Sequence, residues 1–144
     1  MSTDREMAVR CFNEVWALLD NAMRTADDDL MMVHLAHASR AHWQRAGGPR
    51  EWAIGEWQIA RVYATLGRGE PALYHAQAGL ALTAGGAVGD FLAGCAQEVM
   101  ARACRAAGRE AEAKHHHAMA VTIATSLTDA EERELLEADL FERR

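Results

Sequence analysis

Histidine and glutamate are the side chains of this sequence that could build a chemical site. His34 and His37 are three residues apart, a spacing that puts both imidazoles on one face of a helix. His42 lies five residues beyond His37, which turns a helix by about 140° and excludes it from that face. A metal centre would need further ligands from other helices. One hypothesis is therefore a small helical metal- or ligand-binding enzyme that uses His34, His37, His75 and Glu98.

Motifs for nucleophilic or phosphate chemistry are missing from the sequence. It has no nucleophile elbow, P-loop, dinucleotide-binding or zinc-protease pattern. Its three cysteines lack the CxxC spacing, which indicates free thiols in a reducing compartment. The run His115-His116-His117 covers about 200° of a helix and cannot chelate a single ion. We therefore favour a protein without catalysis of its own and without a cofactor.

Composition predicts an all-α chain in one domain. The chain has 144 residues and a formal net charge of −6, with Lys114 as its one lysine. Roughly 30 alanines outnumber the β-branched residues, and alanine is the best helix former. The acidic balance argues against nucleic-acid binding. Charges near the N-terminus and the absence of long apolar runs argue against a signal peptide and a membrane span, so we expect a cytoplasmic protein.

Glycine, proline and capping signals divide the chain into about seven antiparallel helices. The first is predicted to run from about Thr3 to Arg24, and Thr25-x-x-Asp28 reads as a capping box for the second. A second capping box, Thr128-x-x-Glu131, predicts a final helix that reaches Arg144. All connections are short, which favours antiparallel packing of neighbours.

Part of this helical pattern repeats within the chain. Aligning Gly67 with Gly108 places two helix–turn–helix segments on each other. The alignment superposes Ala60 on Ala101, Tyr63 on Cys104, Ala72 on Ala113, His75 on His116, and Gly79 on Ala120. Small residues therefore recur where paired helices must approach closely, and a glycine marks each tight turn.

The stretch from Trp57 to Gly67, followed by Ala72, Ala76 and Gly79, resembles a tetratricopeptide repeat (TPR). That motif has a small residue, an aromatic residue, a turn glycine and an alanine in this order. The repeat is longer here, and the excess falls in the glycine-rich linker at 83–89. The resemblance implies a TPR-like array with an N-terminal hairpin at 1–48, two repeats at 49–126 and a capping helix at 127–144.

TPR-like proteins typically hold a peptide or protein segment against a concave wall built by the first helix of each pair. By this resemblance the wall of the groove would carry His37, Trp57, Arg61, Glu98, Arg102 and Arg105. The arginines resemble the carboxylate clamp of some TPR domains, although the lysines and the asparagine of that clamp are missing. The alternative is that Arg61 forms an ordinary ion pair with Glu98 and that Trp57 belongs to the core.

The expected partner is thus a protein or peptide, with an acidic group as one possibility, and neither nucleic acid nor a membrane. Phe12 and Trp16 widen the apolar face of the first helix beyond what a solvent-facing end needs. The final helix has a leucine stripe and Phe141. These terminal helices could therefore also join two copies in a homodimer.

Overall fold

A computed structural model describes residues 1–142 of the chain and confirms the all-α prediction. Within this range there are seven α-helices, a short 3-10 turn at Ala84–Gly86 and no strand. The helices are α1 (Asp4–Leu19), α2 (Ala26–Ala46), α3 (Pro49–Thr65), α4 (Gly69–Thr83), α5 (Asp90–Ala106), α6 (Glu110–Ser126) and α7 (Ala130–Leu140). None of the described helices is both long and apolar enough to cross a bilayer.

Helix α1 ends five residues earlier than the sequence predicted, at Leu19 instead of Arg24. The guanidinium of Arg24 folds back and donates to the carbonyls of Leu18 and Leu19, at 3.2 and 3.3 Å. The carbonyl groups in the last turn of a helix have no hydrogen-bond donor within that helix. Arg24 therefore satisfies the end of α1 from the loop instead of continuing the helix.

The capping predictions hold for α2 and miss by one residue for α7. Thr25 and Asp28 exchange both hydrogen bonds of a capping box at the start of α2. At α7 the N-cap is Asp129, whose carboxylate accepts from the backbone N–H of Glu132 at 2.9 Å. Thr128 is thus one residue outside the cap. The predicted end of this helix at Arg144 lies outside the described residues.

The turns after α3 and α5 have the same geometry, as the internal repeat predicts. Gly67 and Gly108 both take the left-handed conformation, with φ of 73° and 76°. In each turn the next residue donates back to a carbonyl five positions earlier: Arg68 to Tyr63 and Arg109 to Cys104, both at 2.8 Å. This bond is typical of the Schellman motif, which needs a residue that tolerates positive φ.

The helices stack as hairpins in two layers. Each helix packs on its neighbour in sequence, and α1, α3, α5 and α7 also pack on one another in that order. In the other layer, the backbones of α2, α4 and α6 stay more than 8 Å apart within the described chain. The odd-numbered helices therefore form a continuous layer, and grooves separate the even-numbered ones.

Alanine is the main residue at the contact between the α3–α4 hairpin and the α5–α6 hairpin. Ala60, Ala72, Ala76 and Ala113 are all buried within one cluster, together with Val99 and Cys104. A side chain of a single methyl group lets helices approach closely without losing rotamer freedom. The alanine-rich composition thus serves the packing of the hairpins as well as helix propensity.

Two glycines of α4 should respond in opposite ways to alanine. A Cβ on Gly69 would lie 2.6 Å from the backbone of Ala107, which cannot move aside as a flexible side chain can. We expect Gly69→Ala to lower the free energy of unfolding by about 1–3 kcal/mol.

At Gly79 the nearest atom to an added Cβ is 3.9 Å away, an ordinary contact. Gly79→Ala should stabilise the protein by up to about 1 kcal/mol through helix propensity. Urea unfolding of both variants checks the contrast, and equal effects would contradict it.

Candidate functional site

The layer of odd-numbered helices forms a half-open, mostly apolar cavity with a volume of about 250 Å³. All four of its helices contribute to the wall. The lining residues are Phe12 and Trp16 of α1, Arg50, Ala53, Ile54 and Trp57 of α3, Phe91, Leu92, Cys95 and Ala96 of α5, and Leu135 and Asp139 of α7. Aromatic and aliphatic side chains with few polar groups are typical of a binding pocket.

Two tryptophans form the most aromatic part of this wall. The rings of Trp16 and Trp57 are 5.6 Å apart between centroids and tilted by 45°. The guanidinium of Arg61 lies 5.8 Å from the Trp16 ring, within the range of a cation–π contact. The indole Nε1 of Trp57 is buried and has no hydrogen-bond partner among the described residues. The cavity wall thus offers aromatic surface.

A network of buried charges joins this wall to the core. Glu98 is 3% exposed, and both of its carboxylate oxygens accept hydrogen bonds from Nε of Arg102. Arg61 lies 3.9 Å from the same carboxylate and 3.4 Å from the carboxylate of Asp139. A nitrogen of Arg102 also donates to the backbone carbonyl of Asp139 at 2.8 Å. Two guanidinium groups and two carboxylates therefore hold α3, α5 and α7 together.

Burial raises the pKa of Glu98, and the charges of Arg102 and Arg61 oppose that rise. Taking these charges out of water is costly unless they are paired and hydrogen-bonded. The two arginines are therefore needed by acidic groups of the chain itself. The structure contains the alternative considered in the sequence analysis, an ion pair between Arg61 and Glu98 on different helices. Arg61 and Arg102 are therefore not available for the clamp that was expected to bind an acidic ligand.

The remaining expected groove residues divide between the cavity and other places. Trp57 lines the cavity, as expected. Arg105 is exposed and lies near the ring of His117, at 3.4 Å. His37 lies on α2, in the other layer. It is outside the wall because α1, and not α2, packs beside α3 in the layer that lines the cavity. His37 and Arg105 therefore do not line this cavity.

His37 belongs to a separate polar cluster between α2, α3 and α4. Its Nε2 is 2.9 Å from the hydroxyl of Tyr63, and its ring centroid is 5.2 Å from that of His75. Nδ1 of His75 is 2.7 Å from Glu56, which Arg40 also contacts at 2.8 Å. Burial raises the pKa of Glu56, but His75 and Arg40 outweigh it, so that the net shift is downward.

The metal set considered from the sequence is not assembled. His37 and His75 do lie side by side, but Glu98 is bonded to the arginines of the buried network and His34 is exposed. Among residues 1–142, no group of three or more histidine, cysteine, aspartate or glutamate residues is arranged to hold a metal ion. All three cysteines are buried and free of disulfides.

Sequence reasoning missed most of the cavity wall. Phe12 and Trp16 gave a signal, since they broaden the apolar face of α1, but we interpreted that width as a dimer contact. Phe91 and Leu135 follow ordinary core spacing and gave no sign of a pocket. Asp139 was one acidic residue among many in a charged helix. What sets Asp139 apart from the other acidic residues of α7 is its contact with Arg61 and Arg102, which are distant in sequence and therefore gave no signal.

Comparisons with known proteins do not assign this fold or this site: no family model, no curated protein and no solved structure matches the chain. Function must therefore be inferred from the cavity and the charges around it.

Removing Arg102 should leave a buried carboxylate without its main partner. We expect Arg102→Met to lower the free energy of unfolding by about 3–5 kcal/mol, the usual cost of breaking a buried ion pair. Adding Glu98→Gln should recover at least half of this loss, because Arg61 and Asp139 then still balance each other.

Arg133→Met is the control, since it removes an exposed pair with Glu137 and should cost at most about 1 kcal/mol. Chemical denaturation measures all variants, and a stable Arg102→Met single variant would contradict the analysis.

Protonation of His37 should destabilise the fold. Burial and the neighbouring charge of His75 hold the pKa of His37 below its ordinary value of 6.5. The unfolded chain therefore binds a proton near pH 6.5 that the folded chain resists, and stability falls as pH drops through this value.

We expect the wild type to lose more stability than His37→Gln between pH 7 and pH 5. His116 and His117, whose pKa values burial also lowers, contribute equally to both proteins, as does Glu98. The comparison therefore reports on His37 together with its coupling to His75 and Glu56. Urea unfolding across this pH range measures it, and parallel stability curves would show that His37 titrates as it does in the unfolded chain.

Proposed function

We propose that this chain is a non-catalytic, TPR-like interaction module that holds an apolar side chain of a protein or peptide partner in the cavity between α1, α3, α5 and α7. One observation carries the proposal: every helix of the odd-numbered layer contributes to a single aromatic cavity of about 250 Å³. A stack of helical hairpins that lines such a pocket with the first helix of each pair has the arrangement through which TPR-like proteins bind segments.

The size of the cavity favours a side chain over a cofactor. Sites for drug-sized ligands and cofactors have volumes of about 300–1,000 Å³, and a dry cavity of about 150 Å³ holds benzene. A volume of about 250 Å³ lies between these and suits one large side chain. An apolar anchor of this kind, set into a pocket of the partner, is the usual centre of a protein interface.

The TPR-like classification is supported by three features of the stack. The turns at Gly67 and Gly108 share one backbone geometry, alanines fill the contact between the two hairpins, and the first helices of the pairs form a continuous layer. The three buried thiols support a reducing compartment, for which the cytoplasm is our proposal.

Association of two copies through the terminal helices is a second proposal. Val9 of α1 and Leu135 of α7 are 42% and 46% exposed, and Phe141 just after α7 is 51% exposed. These side chains supply apolar surface at both ends of the stack, where a solenoid has no further repeat to cover it.

Filling the cavity should abolish binding of an apolar anchor. Ala53 is buried in the wall, so Ala53→Leu would extend into the cavity. We expect it to weaken binding of a short acetylated and amidated peptide with a single phenylalanine by at least tenfold, about 1.4 kcal/mol, which is within the worth of one buried aromatic side chain. Calorimetry and the fluorescence of Trp16 and Trp57 can follow the titration.

The matched control is Ala111→Leu, the same substitution at an exposed position of α6. Circular dichroism and thermal unfolding establish that both variants are folded. A peptide that binds the wild type and Ala53→Leu equally well, or a wild type that fails to distinguish phenylalanine from alanine in the peptide, would refute the proposed function.

A further inference from the structure

Arg50 is the arginine of the cavity wall that forms no ion pair with a described residue, although its charge adds to the backbone hydrogen bond from Gly48 in lowering the pKa of Glu51. Its side chain lines the cavity and is exposed to solvent. Within residues 1–142, no carboxylate lies within 4 Å of its guanidinium nitrogens, whereas Arg61 has two acidic neighbours. The nearby carboxylate of Glu51 instead accepts from the backbone N–H of Gly48 at 3.1 Å. The edge of an apolar pocket thus carries one cation with no acidic partner.

The position of Arg50 in its helix is locally unfavourable. Helix α3 begins at Pro49, so Arg50 lies in the first turn. The positive end of the helix dipole favours acidic residues there and disfavours a cation by some tenths of a kcal/mol. A residue that opposes a local rule without an evident structural gain is expected at a functional position.

The other charges of the wall do not offset this cation. Asp139 also lines the cavity, but it is 5% exposed and contacts Arg61 through its carboxylate and Arg102 through its carbonyl. The carboxylate of Glu98 is likewise shared by these two arginines. Arg50 therefore places an exposed guanidinium beside the apolar surface, separate from the charged network of Arg61, Glu98, Arg102 and Asp139.

We propose that the cavity accepts a partner segment in which an aromatic or leucine side chain stands next to aspartate or glutamate, with Arg50 as the residue that contacts the acidic group. This inference deepens the proposed function and rests on it, because the apolar anchor must occupy the cavity for Arg50 to be in reach. It also assigns to Arg50 the role that sequence analysis gave to Arg61, Arg102 and Arg105.

A pair of peptides tests the acidic preference. Both are acetylated and amidated and contain one phenylalanine, which is flanked by aspartate in one peptide and by the isosteric asparagine in the other. At low salt we expect the wild type to bind the aspartate peptide about threefold to fivefold more tightly, the range of a solvent-exposed ion pair. The preference should shrink as salt is added.

The variant that tests the assignment is Arg50→Gln, and Arg105→Gln is its control because Arg105 is exposed but does not line the cavity. Arg50→Gln should bind both peptides with the affinity that the wild type has for the asparagine peptide. Arg105→Gln should keep the full preference. A preference that survives in Arg50→Gln, or is missing from the wild type, overturns the inference while binding of the asparagine peptide leaves the proposed function intact.

Small molecules provide a further arm, with phenylacetate and its neutral isostere phenylacetamide as probes. They carry the same ring and differ in the charge, but they lack a peptide backbone. If phenylacetate binds as tightly as the aspartate peptide, the occupant is a small carboxylic acid and the partner segment we propose is wrong. If no apolar probe or peptide binds at all, the proposed function itself fails.

Discussion

The charged network of Arg61, Glu98, Arg102 and Asp139 is the constraint on which the rest of the site depends. A carboxylate that is 3% exposed is tolerated only when opposite charges and hydrogen bonds replace the water it has lost. The two guanidinium groups that meet this demand also contact α7: Arg61 lies 3.4 Å from the carboxylate of Asp139, and Arg102 donates to the backbone carbonyl of that residue. The same residue is part of the cavity wall. The charged network and the pocket therefore share a residue, and a change in the network also changes the pocket wall.

Local physics allowed much of the fold to be predicted from sequence. The capping box at Thr25 and the left-handed turns at Gly67 and Gly108 each depend on residues within five positions of one another. The number and order of the helices follow from such signals. Where prediction failed locally, a side chain from outside the helix decided: Arg24 satisfies the carbonyls that end α1.

The candidate site was harder to predict because its residues meet only through packing. Helical spacing shows which residues share a face, but it does not show whether α1 or α2 continues the layer of α3 and α5. Because α1 continues the layer, Trp16 lines the cavity and His37 does not. The sequence did suggest Glu98, 37 residues away, as an alternative partner of Arg61, but it gave no sign of the contact with Asp139, 78 residues away.

Contacts between neighbours dominate this stack, and this has a consequence for the order of folding. Hairpins such as α3–α4 involve short loops, so they can close early and independently along the chain. The contact between Arg61 and Asp139 instead spans most of the chain, and closing so long a loop is entropically slower. We expect the cavity to mature last, when α7 docks. A nascent chain would thus present its hairpins before it is competent to bind a partner.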